Sequence, residues 1–302
     1  MKTGRLILVF LTALGCGSAA LGEASSQPAS APAPEIMGCW KNSDDYLVRF
    51  EPGRMVSVFR GEMLINRVLA YEAGKVVFSR SGPYSEMRYS IASIAGKKIL
   101  TLPDQQPSIL TQLSEVPDVL VLKPTPLGKA DKLPADRTKQ IQTDLAAHKK
   151  QHDAIVRQGN WDNTKKVLAE NTAWMKALVG EVGWIDADRF GPEAAKAAFG
   201  MARESLDWRL MWAACPEALK DVKSGKLDSK QYAEFYDCLQ SLMGFKQRYG
   251  TQECLMGGKS FISALEDPDK VEAYRKEMKL APLKDYLAER KASGQALEVQ
   301  KE

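Results

Sequence analysis

Short apolar runs separated by turn residues fill the first part of the chain, from about residue 36 to residue 123. Runs of this length, with Gly, Pro and polar residues between them, are typical of antiparallel strands that form a small barrel or sandwich. They cover residues 46–50, 55–59, 64–71, 75–78, 87–91, 99–102 and 119–122. The pattern therefore predicts a small antiparallel β-barrel or meander domain over residues 36–123.

The spacing of apolar residues becomes helical after a proline-rich stretch at residues 124–137, which predicts a linker. Helices are predicted to begin at Pro192, at Pro216 and at Asp267-Pro268, because proline is favoured in the first turn of a helix. The predicted helices cover residues 138–158, 162–182 and 192–215, a short segment from 216, residues 228–243, a segment from 267, and residues 282–291. The predicted class is α+β: an all-α helical domain, residues 138–292, follows the β domain and ends in a disordered tail, residues 293–302.

The N-terminus has the three parts of an export signal. Lys2 and Arg5 precede an apolar stretch, residues 6–14, which is too short to cross a bilayer as a helix, and small residues follow. Two processing routes stay open. The signal peptide spans residues 1–22, or residues 1–15 if the lipobox-like residues 13–16 make Cys16 a lipidated first residue. The Ser-, Ala- and Pro-rich residues 23–35 predict a disordered tether, so an exported periplasmic protein or outer-membrane lipoprotein is expected.

The charge balance argues against nucleic acid as a partner. The chain has 42 basic and 38 acidic residues, and removing Lys2 and Arg5 with the signal leaves 40 against 38, or +2. Nucleic-acid-binding domains usually show a clustered basic surface. The expected partner is an unknown ligand or protein of the cell envelope, and the membrane would be reached through a lipid on Cys16.

The cysteines allow disulfides in an oxidising compartment. Four of the five lie beyond Cys16, and four cysteines permit three pairings. Cys215 and Cys238, on consecutive predicted helices, are the first candidates for a bridge. Buried free thiols are the alternative.

Residues 38–40, Gly-Cys-Trp, are similar to the Gly-x-Trp opening of lipocalin-like domains. The resemblance implies that Trp40 packs across the end of the barrel and fills its core. A barrel that holds a ligand is the alternative, although small barrels are mostly filled with side chains.

Residues 151–286 resemble a bacterial domain family of unknown function. The family's Gln-x-Tyr-Gly-Thr-Gln signature is intact at residues 247–252, and its Leu-x-Pro-Leu ending stands at residues 280–283. Further matches in order are Asp153, Arg157, Asn171-Thr172, Lys176, Gly183-Trp184, Phe190-Gly191, Ala194-Ala195, Glu266-Asp267-Pro268, Val271 and Arg275. The family usually has Gln-His where this chain has Arg203-Glu204, and Asp-Arg where it has Asp237-Cys238. The resemblance therefore implies the family's fold and weakens any catalytic role that depends on that histidine.

The signature at residues 247–252 groups hydrogen-bonding side chains around Gly250, where a positive φ is expected. Together with polar residues of the predicted helices it gives one candidate binding set: Arg157, Asn171, Arg203, Glu204, Asp237, Gln247, Tyr249, Thr251 and Gln252. These residues either form a polar network that fixes a loop across the helices, or line a polar pocket for a small ligand or peptide. The structural interpretation is favoured.

The two histidines, His148 and His152, lie four residues apart on one predicted helix. This spacing can place two imidazoles on one metal ion, but the residues between them include Lys149 and Lys150 and no glutamate. A solvated helix face is the favoured interpretation. No metal ion and no cofactor are expected.

Three functional hypotheses follow. The first is an exported, non-enzymatic protein that binds a ligand or partner through its helical domain. The second is a hydrolase-like enzyme in which Glu204 and Asp237 form an acid/base pair, which requires both carboxylates in one cleft. The third is an envelope scaffold without a small-molecule site.

Overall fold

A computed structural model describes residues 35–43, 46–59, 61–79, 84–103, 108–130, 132–158, 161–256, 259–293 and 297–299. The predicted signal peptide, Cys16 and all of the predicted tether except its last residue lie outside the described residues.

The N-terminal domain is one nine-stranded antiparallel sheet that curls into a half-barrel. Its strand order is β6-β5-β4-β3-β2-β1-β9-β8-β7. The strands are β1 Gly38–Lys41, β2 Leu47–Glu51, β3 Arg54–Phe59, β4 Glu62–Glu72, β5 Lys75–Ser79, β6 Tyr84–Arg88, β7 Ser90–Ile94, β8 Lys97–Leu102 and β9 Ser108–Leu113. β1 pairs with both β2 and β9, so the first and last strands lie side by side within the sheet, and β6 and β7 form its two edges.

Trp40 lies in the core of this sheet and is 0% exposed. Its indole Nε1 donates to the carbonyl of Ile36 at 2.8 Å, which satisfies the one polar group of the side chain. Trp40 therefore fills the core, as its resemblance to the Gly-x-Trp opening implied. The predicted strand at residues 119–122 is wrong: a 3-10 turn, Asp118–Leu120, stands there and buries Leu120 against β3.

Eight helices build most of the C-terminal domain within the described residues. They are α1 Ala135–Gln158, α2 Trp161–Val182, α3 Ala187–Phe190, α4 Pro192–Ser205, α5 Trp208–Lys223, α6 Ser229–Leu242, α7 Val271–Glu277 and α8 Leu283–Ala292. Among them, none combines the length and apolar character that crossing a membrane requires. The α+β class predicted from the sequence is confirmed.

The predicted helix at residues 192–215 is broken into two. Leu206 adopts a left-handed conformation with φ of +52°, and the Asp207 side chain then accepts from the Leu210 amide to cap α5. Because α5 starts here, Pro216 lies inside it and does not open a helix of its own. After the break, α5 packs against both α4 and α6.

A small second sheet was not predicted in the helical domain. It consists of β10 Glu253–Met256, β11 Lys259–Ile262 and β12 Leu297–Val299, with β10 and β11 antiparallel and β11 and β12 parallel. The strand β12 belongs to the segment expected to be a disordered tail. Its Leu297 is buried against Ile262 and Leu283, which gives this segment an apolar reason to be ordered.

Candidate functional site

The signature loop, residues 247–252, is built around the carboxylate of Asp237 on α6. Asp237 is 0% exposed and accepts from the backbone amides of Arg248, Tyr249 and Thr251 at 2.8–3.1 Å. The Thr251 hydroxyl donates to the same carboxylate at 2.9 Å. Burial raises the pKa of Asp237, and these donors oppose that effect. The carboxylate is therefore saturated by the loop it holds.

Gln247 closes the same loop from the other side. Its amide Nε2 donates to the carbonyls of Gln252 and Ser263, and its Oε1 accepts from the Gln252 amide at 2.8 Å. The buried Arg275 donates to the Tyr249 carbonyl at 2.6 Å. Asp237, Gln247, Tyr249, Thr251 and Gln252 thus form a network that fixes the loop, which favours the structural interpretation of these residues.

A second polar cluster lies between α1, α2 and α4, which pack against one another. It surrounds a cavity, here named the His152 cavity, lined by His152, Leu168, Asn171, Thr172, Met201 and Glu204. The volume of the cavity that the centre of a water-sized sphere can occupy is about 10 Å³. That volume suits one atom-sized occupant.

The cavity exists because polar residues stand at core positions of these helices. On α1, His152 continues the buried stripe of Ile141 and Leu145 at helical spacing, and it is 5% exposed. On α2, Asn171 lies four residues before the buried Met175 and is also 5% exposed. Glu204 near the end of α4 completes the set.

Three polar atoms that face this cavity have no hydrogen-bond partner. His152 Nδ1 and Glu204 Oε2 lie 3.0 Å apart, but their orientation does not give an aligned hydrogen bond. Asn171 Nδ2 also lacks a partner. Within the described part of the chain, six buried side-chain atoms lack a hydrogen-bond partner, and these three line one cavity. The signature loop has the opposite property, because its buried polar groups are satisfied.

Charged groups surround the cavity on its α1 side. The Glu204 carboxylate raises the pKa of His152 above its ordinary value of 6.5, against the burial of the imidazole and the charge of Lys149. Asp153 Oδ1 lies 3.5 Å from His152 Nδ1 and 2.5 Å from Lys149 Nζ. Burial raises the pKa of Asp153, but Lys149 outweighs it and the pKa is lowered. An ionised carboxylate therefore lies beside the imidazole.

His148 supports the cavity from behind. Its Nδ1 lies 2.8 Å from Asn171 Oδ1, and its ring stacks on Trp174 with 4.0 Å between the ring centroids. The contact with His148 uses the oxygen of the Asn171 amide, and the nitrogen Nδ2 has no hydrogen-bond partner.

The expectation that the two histidines lie on a solvated helix face is wrong. His152 is buried and His148 is stacked on an aromatic ring. The signal was present in the sequence, because residues 141, 145, 148 and 152 share one helix face at spacings of four, three and four. Lys149 and Lys150 lie between the histidines in the sequence, but the buried Ile141 and Leu145 share their helix face.

The other residues of the predicted binding set do not come together at one site. Arg203 Nη2 lies 3.8 Å from Glu204 Oε1, whereas Arg157 is exposed and donates from Nε to the backbone of Asp153. Asp237 is not among the residues that line the His152 cavity, so Glu204 and Asp237 face different surroundings.

The candidate disulfide is not formed. Cys215 and Cys238 are free, and the Cys215 sulfur lies 3.2 Å from the Tyr232 hydroxyl. Burial raises the pKa of both thiols. Both are partly buried free thiols in this structure, which is closer to the alternative left open than to a bridge.

Comparison with known families agrees with the resemblance seen in the sequence. The model of a family of unknown function, DUF6624, matches residues 139–297, which is more than half of the chain. The chain belongs to DUF6624. The matched segment contains both the signature loop and the His152 cavity, so both are features of the DUF6624 domain of this chain. No curated protein and no solved structure matches the chain.

Proposed function

We propose that the protein is exported to the cell envelope and acts by binding, with its DUF6624 domain taking a small ligand in the His152 cavity. The proposal rests on three buried polar atoms that line this cavity and have no hydrogen-bond partner. They are His152 Nδ1, Asn171 Nδ2 and Glu204 Oε2. A buried polar group without a partner costs about 1–3 kcal/mol, so three around one space are expected to have a common occupant.

The cavity offers chemically mixed groups to an occupant. An imidazole nitrogen, a carboxylate oxygen and an amide N–H converge from three helices, while Leu168 and Met201 supply apolar walls. Binding sites in proteins typically combine apolar walls with a few convergent polar groups of this kind. The small size of the cavity favours an ion or a single small group of a larger ligand.

The two other functional hypotheses have less support. An acid/base pair of Glu204 and Asp237 needs a shared cleft, but the Asp237 carboxylate is saturated by the signature loop. A scaffold without a small-molecule site gives no reason for the unpartnered groups around the cavity. The scaffold hypothesis would be favoured if no ligand binds in the experiment below.

A ligand screen by thermal shift on the purified full-length protein tests the binding proposal. The panel contains divalent metal ions, short carboxylic acids, amino acids, sugars and cell-wall fragments. At least one ligand is expected to raise the melting temperature of the wild type but not of Glu204→Gln, which keeps the size of the side chain. Glu193→Gln, on the exposed first turn of the same helix, is the matched control and should respond like the wild type. The proposal is contradicted if the panel contains no ligand whose effect on the melting temperature depends on Glu204.

Export and lipidation are tested separately by fractionation of cells that produce the full chain. The wild type is expected in the membrane fraction, and Cys16→Ala is expected to move to the soluble periplasmic fraction because the anchoring lipid is lost. Ser25→Ala in the predicted tether serves as the control. Unchanged fractionation of Cys16→Ala would contradict lipidation, and a cytoplasmic location of both proteins would contradict export.

A further inference from the structure

We infer that the ligand is a divalent transition-metal ion, held at the α1 side of the His152 cavity by His152 Nδ1 and Glu204 Oε2, which line the cavity, and by Asp153 Oδ1, which lies beside them. This inference rests on the proposed function and names the chemical class of the ligand. These three residues offer one ligand atom each, and the atoms all lie within 4.8 Å of one another.

The distances between these atoms fit one metal ion. Tetrahedral ligation with bonds of about 2.0–2.1 Å places ligand atoms roughly 3.3 Å apart. His152 Nδ1 lies 3.0 Å from Glu204 Oε2 and 3.5 Å from Asp153 Oδ1, which brackets that value. The whole set lies within 4.8 Å, which is wider than this spacing, so the two carboxylates must move closer together when a metal ion binds. Both side chains are partly exposed and have room to do so.

His152 and Glu204 are near enough for an ion pair but form no hydrogen bond, and this is an arrangement expected of two ligands of one metal ion. A hydrogen bond needs the donor N–H to point at the acceptor, whereas two metal ligands point at a third position between them. At 3.0 Å, the two atoms are near enough to bond, but neither has a hydrogen-bond partner. An ion at the third position would satisfy both lone pairs at once.

The charge of the three residues and the amide of Asn171 beside them both suit a divalent cation. Two carboxylates and a neutral imidazole bring two negative charges to the site, which a divalent ion balances. Carboxylates that ligate a metal are usually hydrogen-bonded in turn, and the unpartnered Asn171 Nδ2 lines the same cavity as a donor. His148 and Trp174 fix the orientation of that amide.

The ligand types select the metal class. An imidazole nitrogen with two carboxylate oxygens suits Zn²⁺, Co²⁺, Mn²⁺ or Fe²⁺, whereas Mg²⁺ and Ca²⁺ prefer oxygen ligands alone. Three protein ligands also leave a position for water or a further ligand.

Lys149 competes with the metal ion for Asp153. Its ammonium lies 2.5 Å from Asp153 Oδ1, and it must move away when the metal binds. The Lys149 side chain is long and partly exposed, so this movement needs no change of the helix. Lys149→Met is therefore expected to tighten metal binding, because it removes a competing cation without removing a ligand.

The test is a titration of chelator-treated full-length protein with Co²⁺, followed by its visible absorption, with Zn²⁺ added afterwards as a competitor. The wild type is expected to bind one equivalent and to release it to Zn²⁺. Asp153→Asn and Glu204→Gln should each weaken binding by more than the roughly 10–100-fold that loss of an outer-shell partner costs. Glu193→Gln should bind like the wild type, and Lys149→Met should bind more tightly.

Two results would overturn the inference: no stoichiometric Co²⁺ binding, or binding that Asp153→Asn and Glu204→Gln leave unchanged in folded protein. Asp153 is partly exposed, so its variant remains informative if Glu204→Gln does not fold. If a non-metal ligand then shows a thermal shift that depends on Glu204, the metal inference fails and the binding proposal stands. If no ligand does, both fail.

Discussion

Asp237→Ala is expected to lower the free energy of unfolding of the DUF6624 domain by about 3–5 kcal/mol. The substitution leaves the backbone amides of Arg248, Tyr249 and Thr251 and the Thr251 hydroxyl, all buried or partly buried, without their acceptor. Each unsatisfied donor costs about 1–3 kcal/mol, and relaxation of the loop keeps the sum below simple addition. An effect of this size is large against the total stability of a domain.

Urea unfolding of the full chain, followed by tryptophan fluorescence, measures this effect. Asp285→Ala is the matched control, because Asp285 is an exposed carboxylate in the first turn of α8. Asp285→Ala should lower the free energy of unfolding by less than about 1 kcal/mol. Equal losses in the two variants would contradict the role assigned to Asp237.

Gly250→Val is expected to cost about 2–4 kcal/mol through two separate effects. Gly250 has φ of +67°, a conformation that costs a residue with a Cβ about 1–2 kcal/mol. An added Cβ would also meet Leu265 Cδ2 at 3.3 Å and Leu283 Cδ1 at 3.4 Å, before the branches of valine are considered. The two leucines pack together in one apolar cluster, which limits how far they can retreat.

Gly225→Val separates the two effects. Gly225 has φ of +75°, but a Cβ there would meet nothing within 4 Å. Its loss of stability should therefore be limited to the conformational cost of about 1–2 kcal/mol. If Gly250→Val and Gly225→Val unfold at the same urea concentration, the signature loop is not packed against the leucines as described.

Much of the fold was predictable because apolar spacing dominates it. The helices α1 and α2 start within three residues of their predicted positions, since their buried stripes are long and regular. The short strands β10 to β12 were not predictable in the same way. Four residues or fewer carry too little alternation, and β12 is stabilised by contacts with Ile262 and Leu283 far away in the chain.

The candidate site was predictable only in part. The signature loop was recognised from its density of hydrogen-bonding residues around Gly250, and its positive φ was expected. The His152 cavity was missed, although Asn171 and Glu204 were both named as candidates. A polar residue on an apolar stripe is buried by its neighbours, but the charge of Lys149 and Lys150 beside it suggested solvent.

The two polar clusters of the DUF6624 domain therefore have different tasks. In the signature loop, the buried carboxylate of Asp237 and the amide of Gln247 are satisfied by the chain itself. In the His152 cavity, one imidazole nitrogen and one oxygen of the Glu204 carboxylate have no hydrogen-bond partner. The first cluster holds the fold, and the second is proposed to hold a ligand.

One thermal-shift experiment on the full-length protein tests this division most directly, with Gln252→Ala and Glu204→Gln measured side by side, with and without Zn²⁺. Gln252→Ala is expected to melt lower than the wild type and to keep the rise caused by Zn²⁺, because the loop lies apart from the cavity. Glu204→Gln is expected to lose that rise while melting close to the wild type without metal. A Zn²⁺ response that disappears in Gln252→Ala and persists in Glu204→Gln would contradict the account.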